Sequence, residues 1–178
     1  MFSKNNLRSC QPNVRVRCAR YYPKEYEMTS KLDLYKEYFD AAWANPPSSI
    51  VEASKTYLSE DFQSLDKDGN VEQNREALVS VSQLMAAAFT DFKFVYSDIH
   101  EEDDGVIVIG QFEGVHTGDL DLSALGLGVI PASGKKIVVP SGNKFKIEGN
   151  KIVSRRDYGD YGGSSAFLAA LGVTPPTA

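Results

Sequence analysis

Apolar residues recur every three to four positions through the first half of the chain and at alternate positions through much of the second half. Helices are therefore predicted first and strands after them. Thr29 or Ser30 can cap a first helix, and Asp33 stands in its first turn, where a negative charge meets unpaired N–H groups. Leu32, Tyr35, Phe39, Ala42 and Trp43 make its apolar face, and Asn45-Pro46-Pro47 stops it. A short second helix runs from Ser48 or Ser49 to about Leu58 and carries Ile50, Val51, Ala53 and Tyr57. Phe62 and Leu65 follow, then Asp66-Lys67-Asp68-Gly69-Asn70. That acidic cluster lacks the later ligands of a calcium loop and reads as a solvated turn. A third helix is predicted from Val71 to Phe89, with Leu78, Val81, Leu84, Met85 and Ala88 toward the core.

The period then changes to two. Strands are predicted over Phe92 to His100, Val106 to His116, Ile137 to Ile147 and Ile152 to Asp160. The first carries Phe92, Phe94 and Tyr96 on one face. The third is expected to be interrupted near Pro140-Ser141-Gly142, because proline belongs at an edge or a bulge. Glu101 to Gly105 and Glu148-Gly149-Asn150 are turns. Asp119 to Pro131 is a loop with a short helical piece at Ser123 to Leu127. A terminal helix spans Ser164 to Leu171, with Gly172 as its cap and Pro175-Pro176 beyond. Helices followed by a consecutive antiparallel sheet give an α+β fold. Packing the helical stripes onto one face of a curved sheet closes a core and leaves room for a cavity at its open end.

Charge and composition narrow the function classes. The net charge of -5 and a pI near 5.1 argue against nucleic-acid binding and against docking on anionic membranes. No apolar run approaches the roughly 18 to 20 residues that span a bilayer. Both cysteines, Cys10 and Cys18, stand before Ala19, so the body offers no thiol nucleophile. The first 24 residues hold Lys4, Arg8, Arg15, Arg17, Arg20 and Lys24 and no acid. This stretch lacks the apolar segment of a secretory signal. Val14-Arg15-Val16-Arg17-Cys18-Ala19 resembles a plastid processing site. The expectation is a basic leader over residues 1–27, a transit peptide cleaved before Ala19 or a tail, then a folded domain over 28–172 and a C-terminal tail over 173–178. Chloroplast is the expected location. Mitochondrion is one alternative, and cytoplasm, with the leader as a basic tail, is the other.

Strand parity selects the candidate chemistry. Val106, Val108, Phe112 and His116 share one face of their strand, and Ile107, Ile109, Glu113 and Thr117 share the other. On the last strand Ile152, Ser154, Arg156, Tyr158 and Asp160 share a face, opposite Val153, Arg155, Asp157 and Tyr161. Unbroken alternation therefore puts His116 and Asp160 inside, with Arg156. A single bulge would exchange Asp160 for Asp157. A histidine and a carboxylate in one cavity suit proton abstraction alpha to a carbonyl, or protonation of a leaving oxygen. Two other readings stay open: His116 as a structural histidine, and Arg156 as an ion-pair partner of Asp157 or Asp160. The candidate catalytic residues are Asp160 and His116. The candidate pocket residues are Asp157, Arg156, Tyr158, Phe112, Tyr96 and Asn143. One histidine with scattered acids is not a metal set, and neither dinucleotide, phosphate-loop nor serine-hydrolase motifs occur. No metal or cofactor is expected.

The pattern Phe112-x-Gly114-x-His116-Thr117-Gly118, then Pro131-x-x-Gly134-Lys135, then Gly149-x-Lys151-Ile152-Val153 with Asp160 and Leu171-Gly172, resembles the SnoaL-like polyketide cyclase family. That resemblance implies a nuclear-transport-factor-2-like cone over roughly Thr29 to Gly172. It implies cofactor-free acid–base ring closure, with the central aspartate falling on Asp160 and the family histidine on His116. Arg156 stands where the family usually carries a large aromatic, which implies a more polar pocket floor. Arg156-Asp157-Tyr158 also resembles the last-strand segment of limonene epoxide hydrolases, where an Asp-Arg-Asp set activates water; on that analogy Asp157 is functional. The expected function is a cofactor-free cyclase, isomerase or lyase acting on a small carbonyl-containing metabolite, apolar or semi-polar. The alternatives are a non-catalytic binding or dimerising domain and an epoxide-hydrolase-like enzyme. A homodimer through the outer sheet face, where Ile107, Ile109 and Val115 would lie, is the expected assembly.

Overall fold

The structure, a computed structural model, describes residues 30–158 and 163–173. The basic leader, the bulk of the C-terminal tail and Asp160 lie outside the described residues. Helix α1 (Lys31–Trp43) is capped by Ser30, whose hydroxyl accepts from the Asp33 N–H. It buries Leu34, Tyr35 and Ala42. Helix α2 (Ser48–Tyr57) ends where Lys151 Nζ donates to the carbonyls of Lys55 and Thr56. That contact places a cation on the negative end of the helix dipole.

Two strands follow that the apolar pattern does not predict. β1 (Leu58–Leu65) and β2 (Val71–Asn74) form a hairpin around the Asp66–Asn70 turn. β1 turns Leu58, Phe62 and Ser64 inward, so its buried face is irregularly spaced and includes a polar residue. β2 is a mostly exposed edge strand with no apolar face to read. Helix α3 therefore begins at Arg75 and runs to Ala88, with the Asn74 side chain accepting from the Ala77 N–H as its cap.

β3 (Phe89–Glu102) and β4 (Gly105–His116) are long and antiparallel, and β3 is bulged between Thr90 and Lys93 and between Tyr96 and Asp98. The Val106–Val108–Phe112 face of β4 turns inward, as parity requires. The loop after it holds a small hairpin, β5 (Leu120–Leu122) and β6 (Gly128–Ile130), around a 3-10 turn at Ser123–Leu125. β7 (Lys136–Glu148) runs through Pro140 without interruption. Its first half pairs with β4 alone, because β8 (Lys151–Asp157) joins only from Asn143 onward, so the proline sits on a locally open edge. Helix α4 (Gly163–Ala170) packs over that half and ends at Gly172, which has φ of 80°.

The large sheet has the order β2-β1-β8-β7-β4-β3. It is antiparallel except for β1 and β8, which run parallel. The fold is thus α+β, with helices packed on one face of a curved, mainly antiparallel sheet. One core cluster lies under α1 and includes Tyr35, Phe62, Val106 and Ile152; a second lies under α4 and includes Phe89, Ile137 and Leu171. Among the described residues no helix is long and apolar enough to cross a membrane.

Candidate functional site

A cavity of about 210 Å³ opens between the helices and the inner sheet face. One wall is aromatic. Trp43 packs on Phe92 at 4.8 Å, and Phe92 stacks on Phe112 at 5.4 Å with the planes 12° apart. The opposite wall is polar and is supplied by β7 and β8: Ser141, Asn143, Arg155 and Asp157. Arg155 and Asp157 are the only charged side chains among the described residues lining the cavity.

The polar wall exists because β8 is bulged. Ile152 pairs with Ile147 and Ser154 with Lys146, so Val153 has no partner across the ladder. A bulge of one residue exchanges the two faces of a strand. Ile152 is fully buried on the inner side, and beyond Val153 the inner side is taken by Arg155 and Asp157. The unbroken alternation that would carry Arg156 inward is therefore corrected: among the described residues, Asp157 is the carboxylate that lines the cavity. Asp160 itself lies outside the described residues. Arg156 points away. Its terminal nitrogen donates to the Lys67 carbonyl at 2.7 Å, and its guanidinium stands 6.0 Å from the Tyr158 ring. No ion pair joins Arg156 to Asp157; Asp160, the other partner in that reading, lies outside the described residues.

Burial raises the Asp157 pKa above the ordinary carboxylate value, and the nearby Arg155 charge opposes that rise. One of its oxygens, Oδ1, is buried with no hydrogen-bond partner among the described residues. Asn143 lies directly opposite on β7. Its amide nitrogen donates to Ser141 Oγ at 2.8 Å, which leaves its Oδ1 equally without a partner. A buried acceptor left unpaired costs about 1–3 kcal/mol. Two of them stand side by side, each without a donor among the described residues. Arg155 spends Nε and one terminal nitrogen on Ser64 Oγ, at 3.2 and 2.8 Å, and its remaining N–H groups take no other acceptor among the described residues. Tyr35 and Tyr38, on α1, have their pKa values raised by burial and stay protonated; Tyr35 spends its hydroxyl proton on Tyr96, and Tyr38 is able to donate.

The sequence-derived set separates accordingly. Asp157, Asn143 and Phe112 meet in the cavity. Tyr96 packs edge-on against Tyr35 and Phe94 and is 38% exposed; it and Tyr158 are not lining residues. His116 is on the inward face of β4 and fully buried, yet it does not line the cavity. It stacks on Phe89 at 4.9 Å, and Nδ1 meets Ser133 Oγ at 3.1 Å. Parity fixed its face but not its position along the strand: it stands four residues beyond Phe112, roughly 13 Å further on. Its neighbours in sequence have a structural account of their own. The N–H groups of Thr117 and Gly118 both donate to the Ala88 carbonyl, and a Cβ at Gly118 would meet the Ala87 carbonyl oxygen. Arg155, Tyr35, Tyr38 and Ser141 were not singled out from the sequence. Arg155 could have been, since it shares a strand face with Asp157.

Residues 33–166 match the SnoaL-like polyketide cyclase family. The chain belongs to that family. Solved structures agree in fold. A candidate SnoaL-like polyketide cyclase from Jannaschia sp. CCS1 superposes with a TM-score of 0.62 at 18% identity, covering 82% of this chain and 93% of the other. AclR from Streptomyces galilaeus, a candidate hydroxylase, gives 0.63 at 18% identity over 85% and 86% of the two chains. TsrD from Streptomyces laurentii gives 0.56 at 20% identity over 78% and 92%. At these identities the likeness is one of fold. No curated protein matches the chain in sequence. In this SnoaL-like protein no group of three or more His, Cys, Asp or Glu side chains converges as metal ligands would, among the described residues.

Proposed function

We propose that this protein is an acid–base enzyme of the cyclase, isomerase or lyase kind, working without a cofactor on a small carbonyl-containing metabolite. The observation that carries the reading is the Asp157 carboxyl: half-buried in a cavity with an aromatic wall, with a raised pKa and an oxygen that has no partner among the described residues. Asp157 is the base that removes a proton alpha to the carbonyl. Arg155 supplies a fixed positive charge for the enolate oxygen that forms, and Tyr38 supplies a neutral donor. The proton then returns from Asp157 to another carbon in an isomerisation, to the oxygen of a second carbonyl whose carbon the enolate attacks in an aldol closure, or to the departing oxygen in an elimination. His116 acts through packing, since Phe89 and Ser133 hold it outside the cavity.

Exchange of alpha protons for deuterium tests this directly. Single-ring ketones such as cyclohexanone, acetophenone and 4-hydroxyacetophenone are incubated with the protein in deuterated water and followed by NMR. The expected result is exchange of at least one of them, slowed about 10²- to 10⁴-fold in Asp157→Asn. Exchange that never exceeds buffer, or that survives Asp157→Asn, contradicts the proposal. The epoxide-hydrolase alternative needs a second carboxylate beside the Asp–Arg pair, and none lines the cavity among the described residues.

The assembly proposed with this reading is a homodimer through the outer sheet face. Val138 is 45% exposed and Val95 38% on strands that flank β4, which supports a covered surface there. A monomer at micromolar concentration in sedimentation contradicts it.

A further inference from the structure

The cavity's size and its unpaired atoms specify a ligand more narrowly than the reaction class does. An apolar cavity of about 150 Å³ is known to hold a benzene ring. At about 210 Å³, this one matches one substituted ring better than a fused polycyclic ligand. Trp43, Phe92 and Phe112 line it with aromatic surface against which such a ring can pack. The polar wall then sets where the substituents go. Asn143 Oδ1 and Asp157 Oδ1 are both buried acceptors without donors among the described residues, they belong to residues facing each other across β7 and β8, and the Asn143 amide nitrogen is engaged by Ser141 Oγ. Arg155 offers only donors.

We propose that the cavity takes a single-ring ligand that gives a hydroxyl or N–H donor to Asn143 and Asp157 and an acceptor oxygen to Arg155. A hydroxylated aromatic ring or the enol of a cyclic diketone has that pattern. This names the ligand class of the same cavity and rests on its being the working site. It excludes multi-ring compounds, and it assigns Asn143 as a specificity-determining residue that donates no proton itself.

Trp43 is the only tryptophan in the sequence and lines the cavity, so its fluorescence reads occupancy. Resorcinol, with two hydroxyl donors, is expected to quench it saturably. 1,3-Dimethoxybenzene keeps the ring and loses the donors, and is expected to bind at least tenfold more weakly. 2,6-Dihydroxyanthraquinone keeps the donors and adds two rings, and is expected not to bind in equilibrium dialysis. Asn143→Leu is expected to weaken resorcinol about tenfold; should it fold poorly, the ligand pair on the unaltered protein decides. Absent quenching by resorcinol, equal binding of the dimethoxy compound, or tight binding of the three-ring compound overturns the proposal. Asp157→Asn separates this from the reaction. It keeps an acceptor oxygen, so resorcinol is expected to bind within about threefold while proton exchange is lost. Exchange that survives with resorcinol binding intact overturns the base assignment and leaves the ligand class standing.

Discussion

Asp157 stands directly opposite Asn143 across β7 and β8, and it does so because Val153 is left out of the ladder two turns of the pleat earlier. Without that bulge the inner face would continue to Ser154 and Arg156. The polar wall of the cavity, and the function proposed for it, depend on one extra residue in one strand.

Stability should report the buried carboxyl. The folded pKa of Asp157 is raised by burial above its unfolded value of about 3.8. The folded state therefore holds the proton more tightly, and the stability this gives is present below the unfolded pKa and is lost as pH rises through the folded one. Asp157→Asn carries no such titration. Thermal unfolding of the pair is expected to show the variant gaining on the unaltered protein as pH rises from about 4 toward neutral. A constant difference across that range contradicts the assignment.

Arg155→Gln removes the charge that opposes the rise. The Asp157 pKa is expected to move further up, and the acid limb of any pH–rate profile to move with it. Ser64 Oγ, fully buried, loses its charged donor, at a cost of about 1–3 kcal/mol in denaturant unfolding. An unmoved pH profile contradicts the role given to Arg155.

Gly110 lies at the β3 bulge, where a side chain would run into the Val95 carbonyl and the Phe94 ring. Gly110→Ala is expected to destabilise the fold by about 1–3 kcal/mol and to displace Phe94 into the cavity that it lines. Weaker quenching of Trp43 by resorcinol in the folded variant is the accompanying outcome.

His116→Ala is expected to cost about 2–5 kcal/mol of stability through the emptied space beside Phe89. Resorcinol binding measured below its melting temperature should change less than threefold. A large loss of binding in a fully folded variant would return His116 to the site.

How much of this was legible in the sequence follows from where the periods stay regular. The face of α1 is plain because Tyr35 and Phe39 recur at helical spacing and line the cavity as well as the core. The inner face of β4 is plain for the same reason at period two. β1 was hidden because the residue it buries deepest beside Phe62 is Ser64, kept as a partner for Arg155. The β8 bulge falls at Val153, with no glycine or proline to mark it, so parity alone puts Arg156 inward where Arg155 and Asp157 stand. His116 was read onto the correct face and the wrong end of the strand, because a period gives direction and not distance.

The account rests on the state of one carboxyl, which carbon-13 NMR of the aspartate side chains can observe, with Asp157 assigned through Asp157→Asn. The expected titration midpoint lies above the ordinary 3.8 in the free protein and shifts when resorcinol fills the cavity. A midpoint at or below 3.8 that the ligand does not move would mean that Asp157 is an ordinary solvated acid, and would contradict its role as the base.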